Sequence, residues 1–192
     1  TGMDALAHCL EAYVAPSYHP MAEGIAVEGI RLIKEYLPCA YRDGSNLYAR
    51  SQMMSAAAMG ATAFQKGLGA IHSLSHPVGA IYDTHHGLTN AVFMPYVLAF
   101  NRSAIDEKME RLAKYIGLPK GSFEGVMDWV IELRHEFKVP NTASELGIED
   151  HRINEIAELA ELDPSTNSNP IKVGAKEMHK ILKSAMEGNL QL

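Results

Sequence analysis

Four of the nine histidines lie in one short stretch, IHSLSHPVGAIYDTHHG at residues 71–87. His72 and His76 stand four residues apart, so on a helix both imidazoles lie on one face and are able to converge on one metal ion. The stretch lacks the glutamate that serves as the general base in zinc proteases with this histidine spacing. The spacing alone allows two interpretations of His72 and His76: a metal-binding pair, or a buried pair whose nitrogens bond to neighbouring carbonyl groups.

Two further segments carry residues of the same chemical kind. His85 and His86 follow in a predicted turn, where adjacent side chains point in different directions, so at most one of them faces the same centre as His72. Near the N-terminus, Asp4 and His8 repeat the spacing of four on a predicted helix. Taken alone, that pair is typical of a capping aspartate with a histidine nearby. Combined, one carboxylate and three imidazoles from three segments suit Fe(II) or Zn(II) better than Mg(II) or Ca(II).

Helical periodicity dominates the elements that must position these residues. Alternating strand patterns and hairpin turns are nearly absent, and residues 162–170 read as a surface loop. The predicted fold class is therefore all-α, with one bundle-like helical domain over residues 1–192. Helical or buried apolar segments are predicted at residues 3–14 (capped by Thr1), 21–37, 46–64, 69–82, 88–100, 104–117, 124–137, 149–161 and 174–187.

Composition and charge exclude several classes of protein. The net charge of −6 argues against a nucleic acid or a membrane surface as partner, since both require a basic face. No stretch approaches the roughly 18 apolar residues of a membrane span. Two cysteines, Cys9 and Cys39, are too few for a disulfide scaffold, which favours the reducing cytoplasm. Dinucleotide-binding Gly-x-Gly-x-x-Gly, Walker and Gly-x-Ser-x-Gly motifs are absent.

Three stretches, TGMDALAHCLEAYV, GLGAIHSLSHPVGAIYDTHHGLTNAVFMPYVLAFN and NSNP, resemble the iron-containing (group III) alcohol dehydrogenase family, and the likeness covers essentially the whole chain. The resemblance implies a dehydroquinate synthase-like architecture, in which an N-terminal α/β domain binds NAD(P) and a C-terminal all-helical domain holds the metal. The chain is similar to the second domain alone. We expect this to explain both its abrupt start at Thr-Gly-Met-Asp and the missing dinucleotide motif.

The same resemblance implies a set of site residues. In the family, the metal is held by an aspartate and a histidine four residues apart and by two histidines fourteen apart, which here are Asp4, His8, His72 and His86. His76 corresponds to a further histidine near the nicotinamide, and the resemblance implies that it contacts the cofactor and carries the released proton. His85 is left out of the site. The implied full-length enzyme interconverts alcohols and aldehydes or ketones, with the metal polarising the alcohol oxygen and hydride passing to NAD(P).

The expected partners are a small alcohol or aldehyde, the absent nucleotide-binding domain, and further copies of the chain in a homo-oligomer. The isolated chain is expected to be inactive because it has no cofactor cradle. Two other functions stay open: a stand-alone helical metallohydrolase that activates water with the same ligands, and a non-catalytic helical interaction domain with histidines in its core. The lack of a carboxylate base within the histidine stretch counts against the hydrolase.

Overall fold

The computed structural model describes residues 1–191, which form α-helices and short 3-10 turns without any β-strand. The all-α class predicted from periodicity is therefore confirmed. None of the helices within the described residues is both long and apolar enough to cross a membrane. The α-helices are α1 (Gly2–Val14), α2 (Pro20–Arg42), α3 (Leu47–Ala63), α4 (Ala70–Tyr82), α5 (His86–Tyr115), α6 (Phe123–Glu136), α7 (Ile153–Glu161) and α8 (Ala175–Glu187).

The predicted break between residues 88–100 and 104–117 is wrong, because α5 runs unbroken through both. An asparagine disfavours a helix interior when its side chain competes for backbone hydrogen bonds. The amide of Asn101 is engaged elsewhere: it exchanges two hydrogen bonds of 3.0 and 2.8 Å with the amide of Asn169. The side chain of Asn101 therefore does not compete for the backbone hydrogen bonds of α5.

The helix α1 is the centre of the fold, since most of its residues are buried and it packs against α2, α3, α4 and α5. The apolar core that surrounds it contains buried residues from each of the eight helices. Gly60 of α3 permits a close approach, because a Cβ there would lie 3.1 Å from the Cβ of His8 and 3.3 Å from the carbonyl oxygen of Ala5. Thr1 occupies the predicted cap position of α1, but its side chain makes no capping hydrogen bond.

The N-terminal end of α4 is held by side chains from distant parts of the chain. Its cap position is Gly69, which offers no side chain. The backbone N–H of Ala70 donates to Oδ1 of Asn169 at 3.1 Å, and that of Ile71 donates to Oε1 of Glu11 at 2.7 Å. These acceptors satisfy two of the free amide groups that every helix start presents. The first turn of α4 is thereby fixed to α1 and to the segment before α8.

Residues 162–170, predicted as a surface loop, are partly buried. They contain a short 3-10 turn, Pro164–Ser168, and the side chains of Thr166 and Asn169 are buried. The Thr166 hydroxyl lies 2.8 Å from the hydroxyl of Ser73 in α4. The prediction is wrong for these two side chains, because both serve as hydrogen-bond partners for the histidine-bearing helix and its neighbours.

A buried lysine closes the C-terminal end of α1. The Lys66 ammonium donates to the carbonyl oxygens of Ala12, Tyr13 and Ala15, at 3.0, 3.2 and 2.5 Å. It also lies 3.0 Å from a carboxylate oxygen of Glu23. The last carbonyl groups of a helix lack partners within the helix, and a cation there interacts favourably with the helix dipole. Burial lowers the pKa of Lys66, against the effect of its hydrogen bond to Glu23.

We expect Lys66→Met to lower the free energy of unfolding by about 3 kcal/mol, because it removes the donor from carbonyl groups at a buried helix end. Urea unfolding followed by circular dichroism measures the change. Lys114→Met is the matched control: Lys114 is exposed and pairs with Glu110 of its own helix, so the expected change stays within about 0.5 kcal/mol. An equal loss in the two variants would contradict the role given to Lys66.

Candidate metal centre

Three of the four predicted ligands lie together where α1 and α4 begin. Asp4 and His8 stand on the first two turns of α1, and His72 stands on the first turn of α4. Each offers one ligand atom, and these three atoms all lie within 4.8 Å of one another. The ring centroids of His8 and His72 are 4.6 Å apart. The packing of α1 against α4 therefore assembles a carboxylate and two imidazoles from distant parts of the chain.

The fourth predicted ligand, His86, is the first residue of α5 and stands at the edge of this cluster. Its Nε2 lies 3.4 Å from Oδ1 of Asp4, and its ring centroid lies 5.3 Å from that of His72. The approach depends on Gly87, because a Cβ there would lie only 3.0 Å from the Cβ of Asp4. All four residues thus occupy one region, with His86 outside the tightest set of three.

Burial controls the protonation of two of these imidazoles. It lowers the pKa of His8, with the nearby His72 acting in the same direction and Asp4 in the opposite one. Burial likewise lowers the pKa of His86, against the effect of Asp4. Both rings are therefore favoured in the neutral form, in which a ring nitrogen keeps the lone pair that metal coordination requires.

A buried carboxylate that the sequence analysis did not single out orients His72. Oε2 of Glu11 lies 2.6 Å from Nδ1 of His72, while its Oε1 accepts the backbone N–H of Ile71. A carboxylate only accepts, so Nδ1 of His72 carries the proton and Nε2 presents a lone pair to the cluster. A sequence signal existed, because Asp4, His8 and Glu11 follow helical spacing along one face of α1.

His76 stands one helical turn beyond His72, on the more open side of the cluster. Its ring stacks on that of His86, with centroids 5.5 Å apart and 9° between the planes. Its Nδ1 lies 2.7 Å from Oδ2 of Asp163. Burial opposes ionisation of Asp163, but hydrogen bonds from His76 and Ser165 lower the pKa of this carboxyl overall. Both His72 and His76 therefore pair with carboxylates rather than with carbonyl groups.

His85 has a different task from its neighbour. It is the cap residue of α5, and its Nδ1 accepts the backbone N–H of Leu88 at 3.3 Å. The two adjacent histidines thus point to different partners, as the predicted turn requires. His85 satisfies a helix start, whereas His86 faces Asp4.

The contacts of Asn90 test whether these donors fit a metal ion. Its Nδ2 lies 2.7 Å from Oδ1 of Asp4, 3.2 Å from Nε2 of His72 and 3.0 Å from Nε2 of His86. Asp4 accepts, and Nε2 of His72 accepts because Glu11 holds the proton of that ring on Nδ1, so at least two lone pairs converge on this amide nitrogen beside the ring of His86. A carboxylate oxygen and imidazole nitrogens that converge on one point form a donor set that Fe(II) or Zn(II) accepts. The residues present therefore fit such an ion.

An apolar groove of about 740 Å³ is lined by Met3 and Ala5, the chain neighbours of Asp4, and by His85 and Gly87, the chain neighbours of His86, but by none of the four proposed ligands. The side chains of the cluster are partly accessible, with 20% of His8, 25% of Asp4 and 42% of His86 exposed. An ion held by them would have coordination positions that a small molecule could reach. The groove is lined mainly by apolar residues, among them Leu37, Tyr41, Met54, Leu88 and Phe137.

Fold and cluster together define a class: an all-α domain whose converging carboxylate and imidazole groups suit a transition metal. The family model described as "Fe-containing alcohol dehydrogenase family, C-terminal" matches residues 1–186. The chain therefore belongs to the iron-containing alcohol dehydrogenase family, which confirms the resemblance noted in the sequence.

Relatives of established name agree with this membership. The chain is 38% identical to 4-hydroxybutyrate dehydrogenase of Cupriavidus necator, over 97% of its own length and 50% of that protein. It is 36% identical to NAD-dependent methanol dehydrogenase of Bacillus methanolicus (97% and 51% covered) and to NADPH-dependent butanol dehydrogenase of Clostridium saccharobutylicum (98% and 50%). The chain thus spans about half the length of the curated relatives it matches.

Solved structures show the same fold. A 1,3-propanediol oxidoreductase superposes with a TM-score of 0.92 at 33% identity, covering 97% of this chain and 50% of that one. An alcohol dehydrogenase from Oenococcus oeni gives a TM-score of 0.90 at 28% identity, with 96% and 50% covered. The helices of residues 1–191 are therefore arranged as in half of these larger proteins.

We expect Glu11→Gln to reverse the tautomer of His72. The glutamine oxygen can still accept the N–H of Ile71, but its amide group then presents hydrogens to Nδ1 of His72. Nδ1 becomes the acceptor, and Nε2 gains the proton and loses its lone pair. Nitrogen–proton correlation NMR of the imidazoles distinguishes the two tautomers in the chain prepared without metal. Glu35→Gln, at an exposed position on α2, should leave the signals unchanged, and an unaltered His72 tautomer in Glu11→Gln would refute the assignment.

Proposed function

We propose that the chain binds one divalent transition-metal ion and forms the substrate-side half of an NAD(P)-dependent alcohol dehydrogenase. The proposed ligands are Asp4, His8, His72 and His86. One observation carries the proposal: a carboxylate and imidazoles converge where three helices begin. Relatives named as NAD-dependent and NADPH-dependent alcohol dehydrogenases support the reaction class.

Fe(II) is the proposed resident metal, with Zn(II) as its competitor. The description of the matching family names iron, and imidazole and carboxylate ligands accept either ion. On intrinsic affinity the same ligands bind Zn(II) more tightly than Fe(II), so the ion found in a preparation depends on supply. Neutral His8 and His86, favoured by burial, lower the competition from protons for either ion.

When bound, the ion supplies Lewis-acid polarisation of an alcohol or carbonyl oxygen. The chain's own residues do the remaining work on this side of the substrate. Glu11 keeps the lone pair of His72 directed into the cluster. His76 is the proposed carrier of the proton released from the alcohol, because Asp163 fixes its Nδ1 and 44% of its side chain is exposed.

The hydride acceptor is proposed to be NAD(P), bound by a nucleotide-binding half like that of relatives about twice this length.

We further propose that residues 1–192 form one domain, which the shared apolar core supports. A cytoplasmic location is supported by two free cysteines. Assembly into a homo-oligomer is supported by large apolar side chains left exposed, among them Tyr18, Met21, Leu47 and Met54.

We expect the purified chain to retain about one equivalent of Zn(II) or, under anaerobic conditions, Fe(II). The double variant His72→Ala, His86→Ala should lose it, because two of four ligands are gone. His76→Ala is the matched control, since this histidine lies in the same cluster but is not a proposed ligand. Elemental analysis after dialysis measures the metal content. Full retention by the double variant, or loss of metal in His76→Ala, would show that the ligand set is wrong.

We expect the metal-loaded chain alone to show no NAD- or NADP-linked oxidation of methanol, butanol or 1,3-propanediol, because it carries no dinucleotide-binding motif. Absorbance of the reduced nicotinamide measures the reaction. The control is the same chain joined to a nucleotide-binding half of a relative, in which activity should return. Sustained turnover by the chain alone would contradict the proposal, and a metal-dependent esterase or phosphatase activity would favour a hydrolase.

A further inference from the structure

Asn90 lies in the middle of the ligand cluster, although it is none of the proposed ligands. It stands on α5 one helical turn after His86, and it is completely buried. Its side-chain nitrogen contacts Asp4, His72 and His86, which come from three different helices. No other amide side chain within residues 1–191 bonds to these three groups together.

The chemistry of its neighbours settles which end of the amide faces the cluster. The Asp4 carboxylate is an acceptor, and Nε2 of His72 is an acceptor because the proton of that ring lies on Nδ1, against Glu11. Both therefore require a donor, and the amide nitrogen is the end that donates. The carbonyl oxygen of Asn90 points the other way.

The unpaired carbonyl oxygen of Asn90 indicates that the amide nitrogen is the functional end of this side chain. Within the described part of the chain, Oδ1 of Asn90 is buried and has no hydrogen-bond partner. Leaving a buried carbonyl oxygen unpaired is unfavourable, and an apolar side chain of the same shape would avoid it. This unfavourable arrangement occurs where the side-chain nitrogen of Asn90 reaches three proposed ligands, so we take the amide nitrogen to be the functional end of the side chain.

We propose that Asn90 is a positioning residue of the metal centre, whose amide N–H groups hold the Asp4 carboxylate in the geometry that binds the ion. This inference rests on the proposed function. An imidazole nitrogen has one lone pair, so His72 and His86 can serve either the amide or an ion. A carboxylate oxygen has more than one, so the 2.7 Å bond from Asn90 to Asp4 can persist when the imidazoles turn to the ion. The contact between Asn90 and Asp4 is therefore the one of the three that can persist when an ion is bound.

The test uses Co(II) binding by the full 192-residue chain, measured as a dissociation constant by competition with a chelator, together with the ligand-field spectrum of bound Co(II). Asn90→Leu keeps the branched shape of the side chain and removes the donor. We expect its Co(II) affinity to fall about 10- to 100-fold, the range found when groups that orient metal ligands are removed. The spectrum should also change, because a freed Asp4 carboxylate alters the coordination geometry. Asn90→Ala provides a second, smaller replacement should the leucine variant not fold.

Asn101→Ala is the matched control, since Asn101 is a second buried amide on α5 that bonds to Asn169 instead of to the cluster. It should unfold more easily while keeping wild-type Co(II) affinity and spectrum. Equal or tighter Co(II) binding by Asn90→Leu, with an unchanged spectrum, overturns this inference alone. A wild-type chain that binds no Co(II) overturns the proposed function and this inference with it.

Discussion

The structure of the site depends on one buried carboxylate, that of Glu11. One of its oxygens accepts the backbone N–H of Ile71 and the other pairs with Nδ1 of His72, so a single side chain on α1 fixes both the start of α4 and a ring on it. One carboxylate can make both bonds because Ile71 and His72 are adjacent in the chain. Without the bond to the N–H of Ile71, the N-terminal turn of α4 would lose an acceptor that Gly69 at its cap position cannot replace. Without the bond to Nδ1 of His72, the ring could adopt the tautomer that carries its proton on Nε2, facing the cluster. The Glu11 carboxylate thus sets both the packing of α4 against α1 and the tautomer of His72.

A second constraint is electrostatic, because three helices begin at the cluster. Asp4 lies in the first turn of α1, His72 in that of α4, and His86 at the start of α5. Each helix start carries a partial positive charge, which favours carboxylates and disfavours protonated imidazoles. Burial acts in the same direction on two of the rings, lowering the pKa of His8 and that of His86. A divalent ion with Asp4 as its single carboxylate ligand would keep a net positive charge, reinforced by the helix ends. Such a centre is suited to draw electron density from an oxygen atom.

The sequence spacing predicted which site residues share a face of the same helix. Spacings of four residues place Asp4 with His8 and His72 with His76, because helix geometry alone decides them. The parts that sequence reasoning missed depend on tertiary contacts. Glu11 shares a face of α1 with Asp4 and His8, but its role is set by its partners on α4. The helix α5 is predicted as two segments, whereas it is one helix in which Asn101 bonds to Asn169. Gly87 gives no signal of its own, although a side chain there would press on Asp4 and push α5 away from α1.

The relatives of this chain are named for different alcohols. Relatives named for 4-hydroxybutyrate, methanol, butanol and 1,3-propanediol align with this chain over half of their length, and the helical fold superposes with a TM-score of 0.92 at 33% identity. The ligand cluster is fixed by helix starts and buried hydrogen bonds, which tolerate little change. None of the four proposed ligands lines the apolar groove, and side chains such as Met54 and Tyr41 on its wall are exposed and make no bond to the cluster. Substitutions at these two positions would therefore leave the helix starts of the cluster intact.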